Sequence, residues 1–527
     1  MTRRWNGWGS SHIAPALSPP AIAFLHAHLG AAEPPPGLRW EAALATVPAA
    51  RLPEIRGLYR DATTRLRHAR GQSFPDWVAL RIGPPGPVAD GVVFPADEDE
   101  VIHWLRLAAE HDWVIIPRGG GTAVLGQVNV GASPRPTLVL STARLVRLRE
   151  LDLASGLARI EAGANGPLVE AQLAAHGLTL GHFPQSFEYA TLGGWVACRS
   201  SGQESSRYGR IETLFRGGTL LAPAGRVSYP PHPASAAGPD PRSLLLGAEG
   251  RLGVLSEAWV RVRPRPPRPR VTAWLLPGWE EGLEALRRIA RARLPVRLLR
   301  LSDPLETDLL LTFGAGERRH WIDAYARLRS LGPAPCLLLS GWAGDEPGPS
   351  RRALIGILHR QGARRAPALI AHAWRRNRFR GAYLRNALWE AGYGVDTMES
   401  AAPWSGLARL AAAMCKAAVE RPNRLAYGHV SHVYPDGASY YLTTLFPLAA
   451  DAATCLDAWR RLKRGVTEAV LNAGGTLSHH HGVGRDHLPW MACEQGPVPL
   501  KALAAAARVF DPAGIMNPGK LFPGDGA

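Results

Sequence analysis

The stretch from Val114 to Thr122 does more than any other to limit the folds open to this chain of 527 residues. Val114-Ile115-Ile116-Pro117 reads as a buried strand and runs directly into Arg118-Gly119-Gly120-Gly121-Thr122. Upstream, Gly91-Val92-Val93-Phe94-Pro95 is strand-like. Asp97 to His111 has the period of an amphipathic helix, with Val101, Ile102, Trp104, Leu105 and Leu107 on its apolar side. The unit is strand, helix, strand, glycine loop. Glycine takes positive φ and has no Cβ to block a phosphate, so successive N–H groups of such a loop can turn toward pyrophosphate oxygens. The loop 117–126 is not a P-loop, because no Gly-Lys-Ser/Thr follows. It is not GxGxxG either, since Val124 holds the place of the third glycine. Taken alone, a triple glycine reads first as a tight turn without a ligand.

The loop is not alone. Residues 181–212 (GHFPQSFEYATLGGWVACRSSGQESSRYGRIE) and 247–254 (GAEGRLGV) are also glycine-rich, and three such loops in one α/β region suit a long, phosphate-bearing cofactor better than they suit turns. A second cluster stands far downstream. His479, His480 and His481 lie between Gly474-Gly475-Thr476-Leu477-Ser478 and Gly482-Val483-Gly484, which places imidazoles in a glycine-framed loop fit to move protons or hold a metal or an anion. Adjacent histidines lack the i, i+4 helical spacing and the CxxC partners of protein metal sites, so no metal is expected. Neighbours on an extended strand alternate faces, so at most two of the three are expected to touch one ligand.

Composition bounds the rest. At this length, with 46% hydrophobic and 20% charged residues, the chain needs at least two cores. Five scattered cysteines without CxxC pairs argue for a reducing compartment. No apolar h-region follows Met1-Thr2-Arg3-Arg4, and no run of 18 uncharged apolar residues occurs, so a cytoplasmic protein is expected. The net charge of +17 suggests an anionic partner, either nucleic acid, an acidic membrane surface at the inner face, or a phosphorylated substrate. Lysine occurs only at Lys416, Lys463, Lys501 and Lys520, and the arginine, alanine, glycine and proline excess of a GC-rich coding sequence explains part of the charge. Arg261 to Arg270 reads as a stiff Pro-rich linker. Arg375-Arg376-Asn377-Arg378-Phe379-Arg380 reads as an arm over a lipid or phosphate, or equally as a solvated loop. No nucleic-acid motif is present.

Four segments are expected: 1–85, helical, with breaks at Pro34-Pro35-Pro36 and Pro75; 86–265, carrying the glycine loops; 266–473, a second unit; and 474–527. The first α/β region continues through Leu138–Ser141, Ala158–Glu161, a helix at Pro167–His176 and a strand within Gly247–Val262. The second unit is predicted as a small inserted α+β domain, with helices at 281–293 and 318–331 and strands near Val296–Leu301, Asp308–Thr312 and Pro335–Leu339. A helix over Leu500–Val509 precedes Asp511-Pro512 and Asn517-Pro518-Gly519.

The three glycine loops together resemble the PCMH-type FAD-binding domain of the vanillyl-alcohol-oxidase family of flavoproteins. The resemblance implies an α+β fold in which a two-subdomain FAD-binding domain carries an inserted ferredoxin-like cap. It implies FAD held by Pro117, Arg118, Gly119, Gly120, Gly121, Thr122, Ala123 and Gly126, by Pro184, Ser186, Thr191, Gly194, Trp195, Ser201, Gly202 and Tyr208, and by Glu249 and Val254. Some relatives attach the flavin through a histidine just after the first glycines; Thr122 stands there, so noncovalent FAD is expected.

Further blocks resemble the members of that family that make ether lipids: Trp5-Asn6-Gly7-Trp8-Gly9, Tyr383-Leu384-Arg385, Asp396-Thr397-Met398-Glu399-Ser400, Ser431-His432-Val433-Tyr434, and Ser478 to Gly484. That resemblance implies exchange of the acyl group of acyl-dihydroxyacetone phosphate for a fatty alcohol, with the oxidised flavin acting through N5 as an electron sink and no net redox change. It casts Tyr434, His479, His480 and His481 as catalytic, with the Tyr434 phenol lowered by nearby cations. Arg300 and Arg385 would bind phosphate because a guanidinium fork matches its oxygens, and His429 and His432 would line the substrate. Peripheral contact with an anionic membrane and a homodimer are expected; nucleic acid is not. The alternative within the family is a 2-hydroxy-acid dehydrogenase, favoured by the closing DPAGIMNPGKLF. Such enzymes carry Gly-Asp-Gly-Asn after Gly-His, whereas Gly428-His429 leads here into Val430-Ser431-His432. A basic nucleic-acid or membrane binder is the alternative of another class.

Overall fold

The computed structural model describes residues 3–267, 269–315, 319–329, 331–344 and 348–522. The Val114–Arg118 strand lies at the edge of a four-stranded sheet, parallel to Thr137–Ser141, which in turn runs parallel to Gly91–Val93. Both faces of a parallel sheet are covered, and the strand residues 114–116 are accordingly buried. The amphipathic helix Glu98–Glu110 packs Val101, Trp104 and Leu105 on this sheet, and the Asp97 side chain accepts from the Glu100 amide to start it. A five-stranded sheet follows, in which Val254–Arg261 pairs antiparallel with Leu157–Glu161 and Phe215–Ala222.

The second unit is larger than its sequence suggested. A seven-stranded antiparallel sheet is ordered Arg364–Arg365, Arg270–Leu276, Cys336–Trp342, Leu298–Ser302, Leu425–Val433, Gly437–Pro447 and Tyr393–Pro403. The last three strands were not foreseen as strands. They carry the motif blocks, and a turn at Tyr434-Pro435-Asp436-Gly437, closed by the Tyr434 N–H donating to the Gly437 carbonyl at 2.8 Å, joins two of them. Pro-Asp-Gly between two apolar runs was the readable signal.

One expected strand is a helix. Asp308–Thr312 lies inside Pro304–Ala315, because the Asp303 carboxylate accepts the Glu306 N–H at 2.7 Å and starts a helix there. A short run such as Leu309-Leu310-Leu311 does not distinguish strand from helix by periodicity. The stiff linker at 261–270 is pinned strand at both ends, where Arg263–Pro264 pairs with Leu178–Thr179 and Arg270 opens the cap sheet; Arg268 lies outside the described residues. Residues 318 and 330 of the helix expected over 318–331 also lie outside them, and the helix is described over Arg319–Leu328.

The N-terminal segment joins the two units. Its helix Phe74–Arg81, begun by a Ser73/Asp76 capping box, buries Phe74, Trp77 and Val78 in the core of the second unit, and Trp8 joins them through Asn386. Phe74 is 1% exposed and meets Phe446 edge-on at 5.2 Å and Trp389 at 6.1 Å. Phe74→Ala is expected to lower stability by about 3–5 kcal/mol, read as a lower urea midpoint of the unfolding transition.

Candidate active site

The histidine loop is held by two buried carboxylates. Glu399, on the Tyr393–Pro403 strand and 3% exposed, accepts from the N–H groups of His479 (2.6 Å), His480 (3.1 Å) and His481 (2.8 Å), and from Ser478 Oγ at 2.8 Å. Burial alone would raise this carboxyl. The adjoining imidazoles of His480, His481 and His479 and the converging amides overcome burial and hold it well below the usual range. Glu249 grips the other end, accepting from the Val483 N–H at 2.7 Å and the Gly484 N–H at 2.8 Å; burial pushes its carboxyl up to about 7.

The loop is therefore curled around an anion and is not an extended strand, so the alternation expected for His479, His480 and His481 does not apply. Instead His479 and His480 turn their rings together, with Nδ1 atoms 2.9 Å apart, while His481 lies edge-on to Tyr441 at 5.5 Å. Tyr434, fixed by the Pro-Asp-Gly turn, meets His479 with its Oη 2.7 Å from Nε2. His432 stacks on His479 at 5.0 Å, and its Nδ1 lies 3.0 Å from both Ser201 Oγ and Ser205 Oγ. The ring nitrogens of His432, His479 and His480 come within 4.8 Å of one another, a spacing a metal ion can bridge. Sequence spacing gives no sign of this third ring, since His432 comes from the Leu425–Val433 strand, far from the loop in the chain.

Charges at the site depart from expectation in one respect. The Tyr434 phenol is not lowered: burial dominates and pushes it up to about 12, against the opposing pull of Arg210. Burial, with Arg210 next, pushes His479 down to about 3, and His432 and His480 also fall well below their ordinary value, so these rings are neutral near pH 7. Arg210 donates to the His479 carbonyl at 2.7 Å. Sequence reading named neither Arg210 nor Tyr441. Tyr441 stacks between His429 (5.1 Å) and His480 (5.9 Å) and makes one wall of the two clusters.

The two phosphate candidates are already engaged. Arg300 donates to Ser302 Oγ and Glu306 Oε1, each at 2.8 Å, and lies 3.1 Å from His429 Nδ1. Arg385 donates to the Gln72 carbonyl and stacks 4.3 Å over Trp77; burial pushes its guanidinium down to about 10.

The first glycine loop faces its backbone two ways. The carbonyls of Gly120, Gly121 and Ala123 accept bonds from Arg3 and from the Gln72 amide. Among the described residues, the N–H groups of Gly120 through Val124 donate none. A Cβ on Gly119 would lie 2.2 Å from Thr191 Oγ1 and one on Gly120 1.7 Å from the Tyr189 carbonyl oxygen, so only glycine lets this loop sit against the second. Arg118, fully buried beneath Gly121 and beside Pro117, donates to the Arg70 carbonyl at 2.9 Å. Unpaired amides over two guanidiniums, Arg3 and Arg118, fit a pyrophosphate; Thr122 and Ala123 are part of that row, and Gly126 turns the chain at φ +76°.

In the second loop the Pro184 and Ser186 carbonyls close tight turns, Thr191 caps a short helix at Gly194, and Gly202 packs against the Phe183 amide. The Tyr208 ring lies under Gly181. Trp195 is buried with its Nε1 unpaired. Val254 is a core side chain of the first unit and Glu249 is engaged with the histidine loop, so these two serve the loop's surroundings through packing and hydrogen bonds.

The closing block has a structural task. Asn517 Nδ2 donates to the Gln127 and Glu249 carbonyls at 3.0 and 2.7 Å, and the buried Lys520 Nζ donates to the Asn129 carbonyl at 2.8 Å, which ties both glycine loops down.

The FAD binding domain family matches residues 89–228, and the C-terminal domain family of FAD linked oxidases matches 265–521. The fold, the amide-lined loop and these two matches together define an FAD-binding flavoprotein with the two-part organisation of the FAD linked oxidases. The chain is similar over most of its length to the alkyldihydroxyacetonephosphate synthases. That of Trypanosoma brucei brucei is 29% identical over 482 residues, and that of Dictyostelium discoideum 29% over 479, each spanning 88% of this chain and 78% of the relative. A solved alkyldihydroxyacetonephosphate synthase structure superposes with a TM-score of 0.82 at 25% identity, over 98% of this chain and 99% of the other. A glycolate oxidase subunit and a D-lactate dehydrogenase match at lower identity.

The neutral rings predict a pH dependence. Unfolded histidines take protons near 6.5, whereas His479 refuses them down to about 3, so this contribution to stability is full above 6.5 and is lost as pH falls from 6.5 toward 3. Glu249 and Asp486, each pushed up to about 7 by burial, act in the opposite sense, so the readout is a difference between proteins. The unfolding midpoint of the parent is expected to fall more steeply between pH 6.5 and 4.5 than that of His480→Gln. Glu399→Gln, which turns an amide donor toward three N–H groups, is expected to cost about 3 kcal/mol or more at pH 7.5, measured by the same unfolding series.

Proposed function

We propose that the protein is a flavin-dependent alkyl transferase of ether-lipid synthesis, which exchanges the acyl group of acyl-dihydroxyacetone phosphate for a long-chain alcohol with no net redox change. The observation that carries this reading is the 2.7 Å contact of Tyr434 Oη with His479 Nε2, a pair of neutral groups walled by His432 and His480. An exchange must remove a proton from C1 and return one, and a neutral phenol bonded to a neutral imidazole passes a proton in either direction. As Tyr434 oxygen takes the C1 proton, its own proton moves to His479 Nε2, and the Glu399 carboxylate behind the loop balances the charge that forms on the ring. His480 and His432 face the departing carboxylate and the entering alcohol. Arg210 supplies positive charge beside them.

Arg300 and Arg385 are the proposed phosphate ligands. A phosphate at Arg300 shares the guanidinium with Glu306, so it binds at the remaining edge of the fork and not as the sole counter-ion. FAD, when bound over the amides of Gly120 to Val124, supplies the electron sink for the substrate carbon. Thr122 in place of a histidine supports noncovalent attachment. The net charge of +17 and the exposed Arg375, Arg376 and Arg380 support peripheral contact with anionic lipid, and no described helix is long and apolar enough to cross a membrane.

The hydroxy-acid dehydrogenase reading has less support, because Val430 to Tyr434 replaces its Gly-Asp-Gly-Asn segment. Anaerobic mixing with D-lactate or glycolate is expected to leave the flavin spectrum oxidised, and full bleaching would overturn the transferase reading. Tyr434→Phe and His480→Ala are each expected to retain the visible FAD spectrum and to lose about 100-fold or more in alkyl exchange, followed as fatty acid released per alcohol incorporated.

A further inference from the structure

Glu204 was not among the residues the sequence singled out, yet it is one of the most enclosed carboxylates in the molecule, with a side chain 2% exposed. It precedes the four-residue helix Ser205–Tyr208 and its carboxylate does not cap that helix. Instead it accepts from two arginines of the other unit: Arg297 through Nε and Nη2, the latter at 2.7 Å, and Arg378 through Nη1 at 2.5 Å. Arg297 leads into the Leu298–Ser302 strand that carries Arg300. Arg378 belongs to the arginine arm at 375–380, and its guanidinium lies 4.7 Å from the Phe183 ring and 4.6 Å from that of Phe379, which stacks on Phe187 at 4.9 Å. Gln203 Nε2 donates a hydrogen bond to the Arg378 carbonyl at 3.3 Å.

The residues on either side of Glu204 hold His432. Ser201 and Ser205, both buried, place their hydroxyls each 3.0 Å from His432 Nδ1, and these are the hydrogen-bond partners of that ring among the described residues. A cavity of about 200 Å³ borders the clamp, lined in part by Glu204, Arg297, Arg375 and Arg378, and the buried serines do not line it. The segment is thus fixed between an ion cluster and an imidazole: moving the carboxylate moves both hydroxyls.

We propose that Glu204 is a positioning residue, which through Arg297 and Arg378 sets the Ser201 and Ser205 hydroxyls and thereby the orientation of His432 toward His479 and Tyr434, so that the arginine arm must be docked for the reaction to proceed. The proposal rests on the exchange reading of the His432, His479 and Tyr434 cluster. Its physical basis is directional. A buried carboxylate shared by two guanidiniums tolerates little displacement, and a shift of about 1 Å in a catalytic group lowers turnover by about 100-fold.

The test uses the full-length, FAD-loaded protein with Glu204→Gln, Glu204→Asp and Arg378→Lys. Glu204→Gln is expected to keep its FAD spectrum, to lose roughly 10- to 100-fold in kcat with KM changed less than about 3-fold, and to shift the pH profile of kcat; Glu204→Asp is expected to recover part of the loss. If Glu204→Gln fails to load FAD, Arg378→Lys, which keeps the cation but loses the fork, carries the same expectation. Proton–nitrogen spectra of protein labelled with ¹⁵N-histidine, with His432 assigned by its loss in His432→Asn, read the ring directly and do not depend on alkyl exchange. Displaced His432 signals in Glu204→Gln support the proposal even should the parent fail to catalyse exchange, which would overturn the functional reading alone. Unchanged His432 signals and unchanged kcat in both Glu204→Gln and Arg378→Lys would overturn the proposal.

Discussion

A single buried carboxylate, that of Glu399, decides where the histidines stand. Three consecutive amides converge on one anion only when the chain wraps around it, and an anion at that depth is stable only when such donors surround it. Charge and loop shape therefore require each other. Because Glu399 comes from the cap sheet and Glu249, at the far end of the same loop, from the third glycine loop, the loop also records how the two units are set against one another. The catalytic candidates at its crest inherit their positions from both.

The two halves of the site use the backbone in opposite ways. Around Glu399 the protein supplies the anion and points its own amides inward. At Gly120 to Val124 three of the carbonyls, those of Gly120, Gly121 and Ala123, are bound by the protein, and among the described residues the amides are not, beside Arg3 and Arg118. The histidines between these regions are kept neutral by burial, so they exchange hydrogen bonds without adding permanent charge beside a cofactor that must accept and return electron density.

Much of this was legible before folding. The strand from Val114, the amphipathic helix before it and the three glycine loops follow from periodicity and from the special backbone of glycine, both of which are local. The strands 393–403, 425–433 and 437–447 were hidden because their sequence was read as motif blocks, although Pro435-Asp436-Gly437 marks the turn between two of them. Asp308–Thr312 failed for lack of a period long enough to separate helix from strand. Glu399, Glu204 and Arg210 could not be reached by spacing at all, since each acts on residues far away in the chain, and one acid or one arginine among many carries no mark of its burial. The lowered phenol expected of Tyr434 failed for the same reason: sequence shows the cations but not the desolvation that outweighs them.

The C-terminal block has a temporal meaning. The pieces that lock the flavin loops and the histidine crest lie along the chain in the order Glu249, Glu399, Ser478 to Gly484, and Asn517 to Lys520, and the last two each grip residues that precede them. The contact of Asn517 with the Gln127 carbonyl spans 390 residues of chain and that of Lys520 with Asn129 spans 391, so the cradle can be tied down only after everything between has been made.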